Sequence, residues 1–311
     1  MKTLALARSF VLSSDWHCAV PDLPTCYGLQ PELNRVTYCV GIKLDAGLVF
    51  ASDSRTNAGL DHISTFRKMM VYERPGDRFM VLLSAGNLSL AQSVREILQV
   101  TQMPAEEEHA EPLTIWNARS MFDAARLLGV AMRRVAERDA AALKQAGLDF
   151  NVSMILGGQI KGEAMRMFLV YSAGNFIEAT RETCYFQIGE SKYGKPVLDR
   201  LLTPEASLED GTKCALLSMD ETMKSNLSVG LPIDLAVYRE GGLESSDIIC
   251  VDEHNPYYTL IHNTWGERLR HAFESLEAPV WSEQPAKHPL RTASRRHRPI
   301  RKISKYDERI C

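Results

Sequence analysis

The run Thr37-Tyr38-Cys39-Val40-Gly41-Ile42-Lys43 joins a hydroxyl-bearing residue to the head of an apolar, strand-favouring segment. Were the chain cut just before Thr37, that residue would carry a free α-amine beside its own alcohol. An aliphatic alcohol is a poor nucleophile near neutrality and needs a neighbouring base. An α-amino group titrates at about 7.7–8.0, so part of it is neutral and able to take a proton near physiological pH. One residue would then supply nucleophile and base together, the N-terminal threonine form of the acyl-transfer triad.

Such chemistry needs elements to position it. Thr37–Lys43 reads as a strand, Asp45-Ala46-Gly47 as a turn, and Gly47–Ser54 as a second apolar strand ending in the polar Asp53 and Arg55. Phe66–Tyr72 reads as a third strand carrying Lys68. A tight hairpin returns the end of its second strand to the start of its first, so Asp53 can lie beside Thr37, and Lys68 can reach the same place. Taken singly, Asp53 could be a turn-capping carboxylate and Lys68 a snorkelling surface lysine.

The ordered set T-Y-C-V-G-I-K-L-D-A-G-L-V-F-A-S-D-S-R-T-N-A-G, followed by Phe66-Arg67-Lys68, resembles the opening of a proteasome β-subunit. It resembles more closely the bacterial proteasome-like family called Anbu, the ancestral β-subunit. The likeness runs from Thr37 to about Trp281. It implies an αββα sandwich of the N-terminal nucleophile hydrolase type, with Thr37, Asp53, Lys68 and Gly86 as catalytic residues. It implies that Lys68 is buried, paired with Asp53, and lowers the pKa of the Thr37 groups. It also implies self-assembly into homo-oligomeric rings or ring-like stacks, with no metal and no cofactor.

The chain has 311 residues, 45% of them apolar, enough for one large core or two modest ones. A net charge of −3 argues against a nucleic-acid protein as a whole. Seven scattered cysteines include no C-x-x-C pair, which fits reduced thiols in the cytoplasm better than a disulfide framework or a zinc site. No apolar run approaches the roughly 20 residues that span a bilayer.

Residues 1–36 are expected to be a leader, propeptide or mis-assigned start. Arg8 interrupts the apolar run that follows Met1-Lys2, and Asp15 and His17 come soon after, so an export signal fits poorly. A self-removed propeptide is a second reading. In a third, Val36 is read as the initiator, and methionine removal before the small Thr37 exposes the nucleophile. Residues 37–281 form the hydrolase domain in this reading. Residues 282–311, with Arg295, Arg296, Arg298, Arg301 and Lys302 among prolines, form a basic tail. Such tails are usually solvated appendages, and the alternative reading is a surface for an acidic or nucleic-acid partner.

Beyond Lys68, a strand over Arg78–Ser84 ends at Ala85-Gly86-Asn87, and a helix follows with Leu90, Val94 and Leu98 on one face. A glycine between strand and helix is often only a turn residue, but the geometry also leaves backbone N–H groups pointing outward, as an oxyanion stabiliser requires. In the family it resembles, the glycine of this A-G element supplies that N–H. A long amphipathic helix is expected over 117–146, its outer face carrying Arg133, Arg134, Glu137 and Arg138. A surface loop is expected around Glu106-Glu107-Glu108. Strands are expected at 151–158, 165–171, 183–189, 232–238 and 247–251. Helices are expected from about Gly194, over 208–224, and over 257–276, the last with Leu260, Ile261, Trp265, Leu269 and Phe273. Strands, helices, strands, helices make an α+β, four-layer arrangement.

Two places depart from the proteasome pattern. Where the family has a G-S-G-type turn whose Ser supports the terminal amine, this chain has Gly189-Glu190-Ser191. Where the family has R-D followed by a Ser, this chain has Asn226 and then Ser228. A Glu near an amine favours its protonated form and weakens it as a base. The alternative readings of Glu190 are recognition of a charged substrate end and a solvated loop residue. Ser191 and Ser228 are the weaker supporting candidates, with Arg55.

The expected function is threonine-type peptidase action on peptide or protein substrates. The alternatives are a narrow-specificity amide hydrolase and a catalytically silent ring subunit. The sequence does not reveal an unfoldase or ATPase partner.

Overall fold

The structure is a computed structural model that describes residues 37–57, 63–104, 111–244 and 247–279. The regions 1–36 and 280–311, and the loop with Glu106–Glu108, lie outside the described residues.

Two five-stranded antiparallel sheets are stacked face to face. The first contains β1 (Tyr38–Leu44), β2 (Gly47–Asp53), β10 (Tyr185–Gly189), β11 (Ile233–Arg239) and β12 (Asp247–Val251), in the order β10-β1-β2-β11-β12. The second contains β5 (Met69–Arg74), β6 (Arg78–Gly86), β7 (Val152–Ile160), β8 (Arg166–Val170) and β9 (Phe176–Glu178), in that order. β3 (Arg55–Asn57) and β4 (Ile63–Thr65) form a separate two-stranded hairpin.

Helices cover both outer faces. α1 (Leu88–Val100) and α2 (Met121–Gln145) lie on the second sheet, where Leu90, Val94, Leu98, Met121, Leu128 and Met132 bury against Met80, Leu82 and Leu156. α3 (Lys195–Leu201), α4 (Leu208–Ser225) and α5 (Pro256–Glu274) lie on the first, where Leu198, Ala215, Met219 and Ile261 meet Val40, Ile42 and Val49. The alternate side chains of β1 and β2, Cys39 and Phe50 among them, face inward onto Val81, Ile155 and Met167. Phe79 and Tyr238 stack across the gap between sheets at 4.7 Å. This is the expected α+β, αββα sandwich. Its middle seam is an apolar core because strands of period 2 offer one face to each neighbour.

Several local expectations need correction. Phe66–Lys68 is not strand: β5 begins only at Met69, after the unexpected β3–β4 hairpin. The backbone reason is that Phe66 N–H is taken by the Ser54 carbonyl, which diverts the chain before it joins the second sheet. β9 was also not foreseen, being three residues long. In α5, Ile261 is buried, whereas Leu260, Leu269 and Phe273 are exposed. In α3, Leu201 is exposed. Among the described residues no helix is long and apolar enough to cross a membrane.

Candidate active site

Thr37 stands one residue before β1 and is 7% exposed. The β1–β2 hairpin pairs Cys39 with Ser52, so Asp53 comes level with Tyr38. Asp53 Oδ1 accepts the Tyr38 N–H at 3.0 Å. The same oxygen accepts from Lys68 Nζ at 2.8 Å. Lys68 Nζ also donates to the Arg55 carbonyl at 2.5 Å. Lys68 itself is anchored through its backbone: its carbonyl accepts the Ser84 N–H at 3.1 Å and the Ser84 hydroxyl at 3.3 Å. The lysine therefore comes from the residue just before β5, tied to β6 of the second sheet, and the aspartate from the end of β2 in the first.

Both charges are out of water, Asp53 at 0% exposure and Lys68 at 4%. Burial pushes the Asp53 carboxyl up to about 6, while Lys68 and the Tyr38 N–H pull it back. The Gly230 N–H also pulls this carboxyl down, and Asp53 Oδ2 is buried without a close hydrogen-bond partner among the described residues.

On its other side Thr37 meets the end of β10. The Thr37 carbonyl accepts the Glu190 N–H at 2.7 Å, extending the register that pairs Tyr38 with Gly189. Gly189 has φ +82°, and a Cβ there would run into the Thr37 carbonyl. Only glycine permits this approach.

Glu190 corrects the reading of a solvated loop residue: it is 7% exposed. Its carboxylate accepts the Lys192 N–H at 3.3 Å and Asn226 Nδ2 at 3.2 Å. Asn226 Oδ1 in turn takes the Ser228 N–H at 2.9 Å. The sequence signal for this cluster was the pair of departures from the family pattern, which fall on side chains that touch. Arg55 Nη1 donates to the Leu227 carbonyl at 3.1 Å. The segment from Asn226 to Gly230 thus contacts Glu190 at one end and approaches Asp53 at the other.

Gly86 ends β6 with φ +106°, where a Cβ would strike the Asn151 carbonyl. The next N–H, that of Asn87, donates to that carbonyl at 2.9 Å. Strand alternation sends the Gly86 N–H to the opposite side, past the last rung between Ser84 and Lys68. A cavity of about 290 Å³ opens between the sheet ends, lined by Gly86, Ser153, Gln187, Gly189 and Ser191 among others. Ser191 therefore faces the cavity, while Ser228 serves the Asn226 turn through its backbone. Behind Thr37, the Tyr38 hydroxyl lies 2.6 Å from Ser218 Oγ and accepts from Gln187 Nε2 at 2.6 Å. Sequence reasoning missed this polar clamp, because it depends on the β1–β10 pairing, which sets Gln187 opposite Val40 and so diagonal to Tyr38.

The sequence profile described as "Proteasome subunit" matches residues 34–238. The chain belongs to the proteasome family. Within it the likeness is to Anbu proteins. The Anbu structure from Yersinia bercovieri is 47% identical, with a TM-score of 0.71, and the match covers 79% of this chain and 100% of that one. The structure described as the helical assembly of the Anbu complex from Pseudomonas aeruginosa is 43% identical over 80% of this chain and 100% of that one, with a TM-score of 0.71. Proteasome subunit beta 2 of Pyrobaculum calidifontis is 25% identical over 218 residues, 70% of this chain and 96% of its own. The proteasome fold accounts for why β1, β2 and β6 converge: their ends meet at the rim of the seam, where one strand terminus can be approached from both sheets.

Proposed function

We propose that this proteasome-family chain is a threonine-type N-terminal nucleophile hydrolase acting on peptide or amide bonds. The observation that carries this reading is the buried Lys68–Asp53 pair, fastened at 2.8 Å beside the residue that heads β1. In this mechanism the working chain begins at Thr37, whose α-amine is free. That amine takes the Oγ proton as Oγ bonds to the substrate carbonyl carbon. The carbonyl π pair moves onto oxygen, and the resulting oxyanion is met by the Gly86 N–H and the field of Lys68. The amine returns the proton to the leaving nitrogen as the C–N bond breaks, leaving an ester on Thr37. Water repeats the sequence and frees the acid.

Self-association belongs to the same reading, since a relative is described as a helical assembly. Peptide or protein substrates are its substrate class, and the cavity beside Gly86 and Ser191 is a natural place for one side of the scissile bond. The chemistry calls for no cofactor.

A second reading, a catalytically silent assembly subunit, is favoured by one observation: Glu190 and Asn226, the two residues read by resemblance as departures from the family's supporting Ser and Asp, bind one another at 3.2 Å. A peptide electrophile that reacts with both the alcohol and the amine of a terminal threonine separates the two. Mass analysis of protein whose first residue is Thr37 should find the adduct on Thr37 and none on a Thr37→Ala variant. An unmodified Thr37 would support the silent reading.

A further inference from the structure

The backbone around Thr37 faces two ways. In an antiparallel strand, the N–H and C=O of one residue point to the same neighbour, and those of the next residue point to the opposite one. The Thr37 carbonyl faces the β10 side, where Glu190 N–H binds it at 2.7 Å. The Tyr38 N–H faces the β2 side and ends on Asp53 at 3.0 Å. A free α-amine on Thr37 therefore emerges on the Glu190 side, away from the aspartate.

Glu190 is built to stay there. Its backbone is tied to Thr37, and its buried carboxylate is gripped by the Lys192 N–H and by Asn226 Nδ2. Amide donors hold a carboxylate in place without neutralising it. The other charged groups around Thr37 are differently disposed. Asp53 and Lys68 face it from β2 and from the approach to β5, and they offset one another at 2.8 Å. Asp234 on β11 stands opposite Ser52, a strand further away. The Arg55 guanidinium is turned to Leu227 and packs over Gly230. The Tyr38 hydroxyl and the Cys39 thiol are kept neutral by burial.

We propose that Glu190, held by Asn226, is the positioning residue and fixed counter-charge of the Thr37 α-ammonium, and so sets the pH at which Thr37 acquires its internal base. The proposal rests on the hydrolase reading above. At neutral pH the amine holds its proton against the carboxylate and the site is in reserve. As pH rises the ammonium releases that proton to solvent. The neutral amine then accepts the Oγ proton as the Oγ–carbon bond forms.

The test measures the rate of Thr37 modification by a peptide epoxyketone across about pH 6 to 10, in protein whose N-terminal mass places Thr37 first. The wild-type midpoint should lie above the model-peptide range of about 7.7–8.0. Glu190→Gln should lower that midpoint by about one unit, and Glu190→Asp, which keeps the charge, should hold it high. An unmoved midpoint in Glu190→Gln overturns the proposal, even where the rate falls evenly at every pH, because an even fall is what a merely structural role produces. If Glu190→Gln does not fold, Asn226→Leu, which releases the carboxylate, should lower the midpoint, and an unmoved one is again fatal. A wild type that takes no label at any pH sinks the hydrolase reading and this proposal with it. A labelled wild type with an unmoved variant sinks this proposal alone.

Discussion

Asp53 serves Lys68 and the Tyr38 backbone through the same atom: Oδ1 accepts from Nζ at 2.8 Å and from the Tyr38 N–H at 3.0 Å. One oxygen thus locks the start of β1 to a lysine delivered from the opposite sheet. The second oxygen is buried and unpaired among the described residues. A carboxylate left half-satisfied in the interior is costly, so its retention points to the work its charge does on Lys68.

Breaking this pair from either side should destabilise strongly. Lys68→Met strands a buried carboxylate and Asp53→Leu strands a buried ammonium, each costing about 3–5 kcal/mol. The double variant, apolar on both sides, should recover most of that loss in urea titrations while acylation of Thr37 stays abolished. Recovery of acylation in the double variant would remove the pair from the chemistry.

The pH dependence of Asp53 runs against the usual carboxylate. Its folded value, about 6, lies above the ordinary 3.9 or so, so the folded chain binds this proton more tightly than the unfolded chain does. The group therefore costs stability above about pH 6, by roughly 3 kcal/mol, and the cost is relieved as pH falls toward about 4. Comparing wild type with Asp53→Asn over that window should show the difference shifting in favour of wild type on acidification. Catalysis should move the other way, with an acid limb near pH 6 as Lys68 loses its counter-charge. A flat stability difference would mean that Asp53 does not titrate there.

At Gly86 the expectation is one of geometry. Alanine at φ +106° is strained by about 1–3 kcal/mol and meets the Asn151 carbonyl, which moves the N–H off its line. Acylation should fall about 10²-fold, the loss typical of one oxyanion donor, with little change in substrate affinity. Rates within threefold of wild type, on the order of 0.7 kcal/mol, would take Gly86 out of the oxyanion role.

The clamp behind the site makes a stability prediction. Tyr38→Phe removes a hydroxyl that engages both Ser218 and Gln187, leaving two polar groups short of a partner at a cost of about 1–3 kcal/mol. Ser218→Ala in the same background should cost less than it does alone, because the pair is coupled. Additive losses would show that the two hydroxyls are independent.

The layer order was legible in the chain because it rests on local signals: alternation in β1 and β2, a period near 3.6 in α1, α2 and α4, and turns at Asp45-Ala46-Gly47 and Pro75-Gly76-Asp77. The extent of the third strand was not legible. Phe66–Lys68 has strand composition, but its backbone is captured by Ser54, a partner twelve residues away that no local pattern announces. The fate of α5 was equally hidden, since Leu260 and Phe273 are as apolar as Ile261 yet remain exposed.

By itself the sequence determined which groups are available: an alcohol heading a strand, a carboxylate at the end of its hairpin, a lysine, a glycine before a helix, and the polar pair Glu190 and Asn226. Only the tertiary structure decided which of them meet. The approach of Lys68 from the second sheet and the burial of Glu190 against Asn226 depend on sheet stacking and on the end of β10. Contacts between residues far apart in the chain are set by the packing of whole layers, and no window of sequence contains both partners.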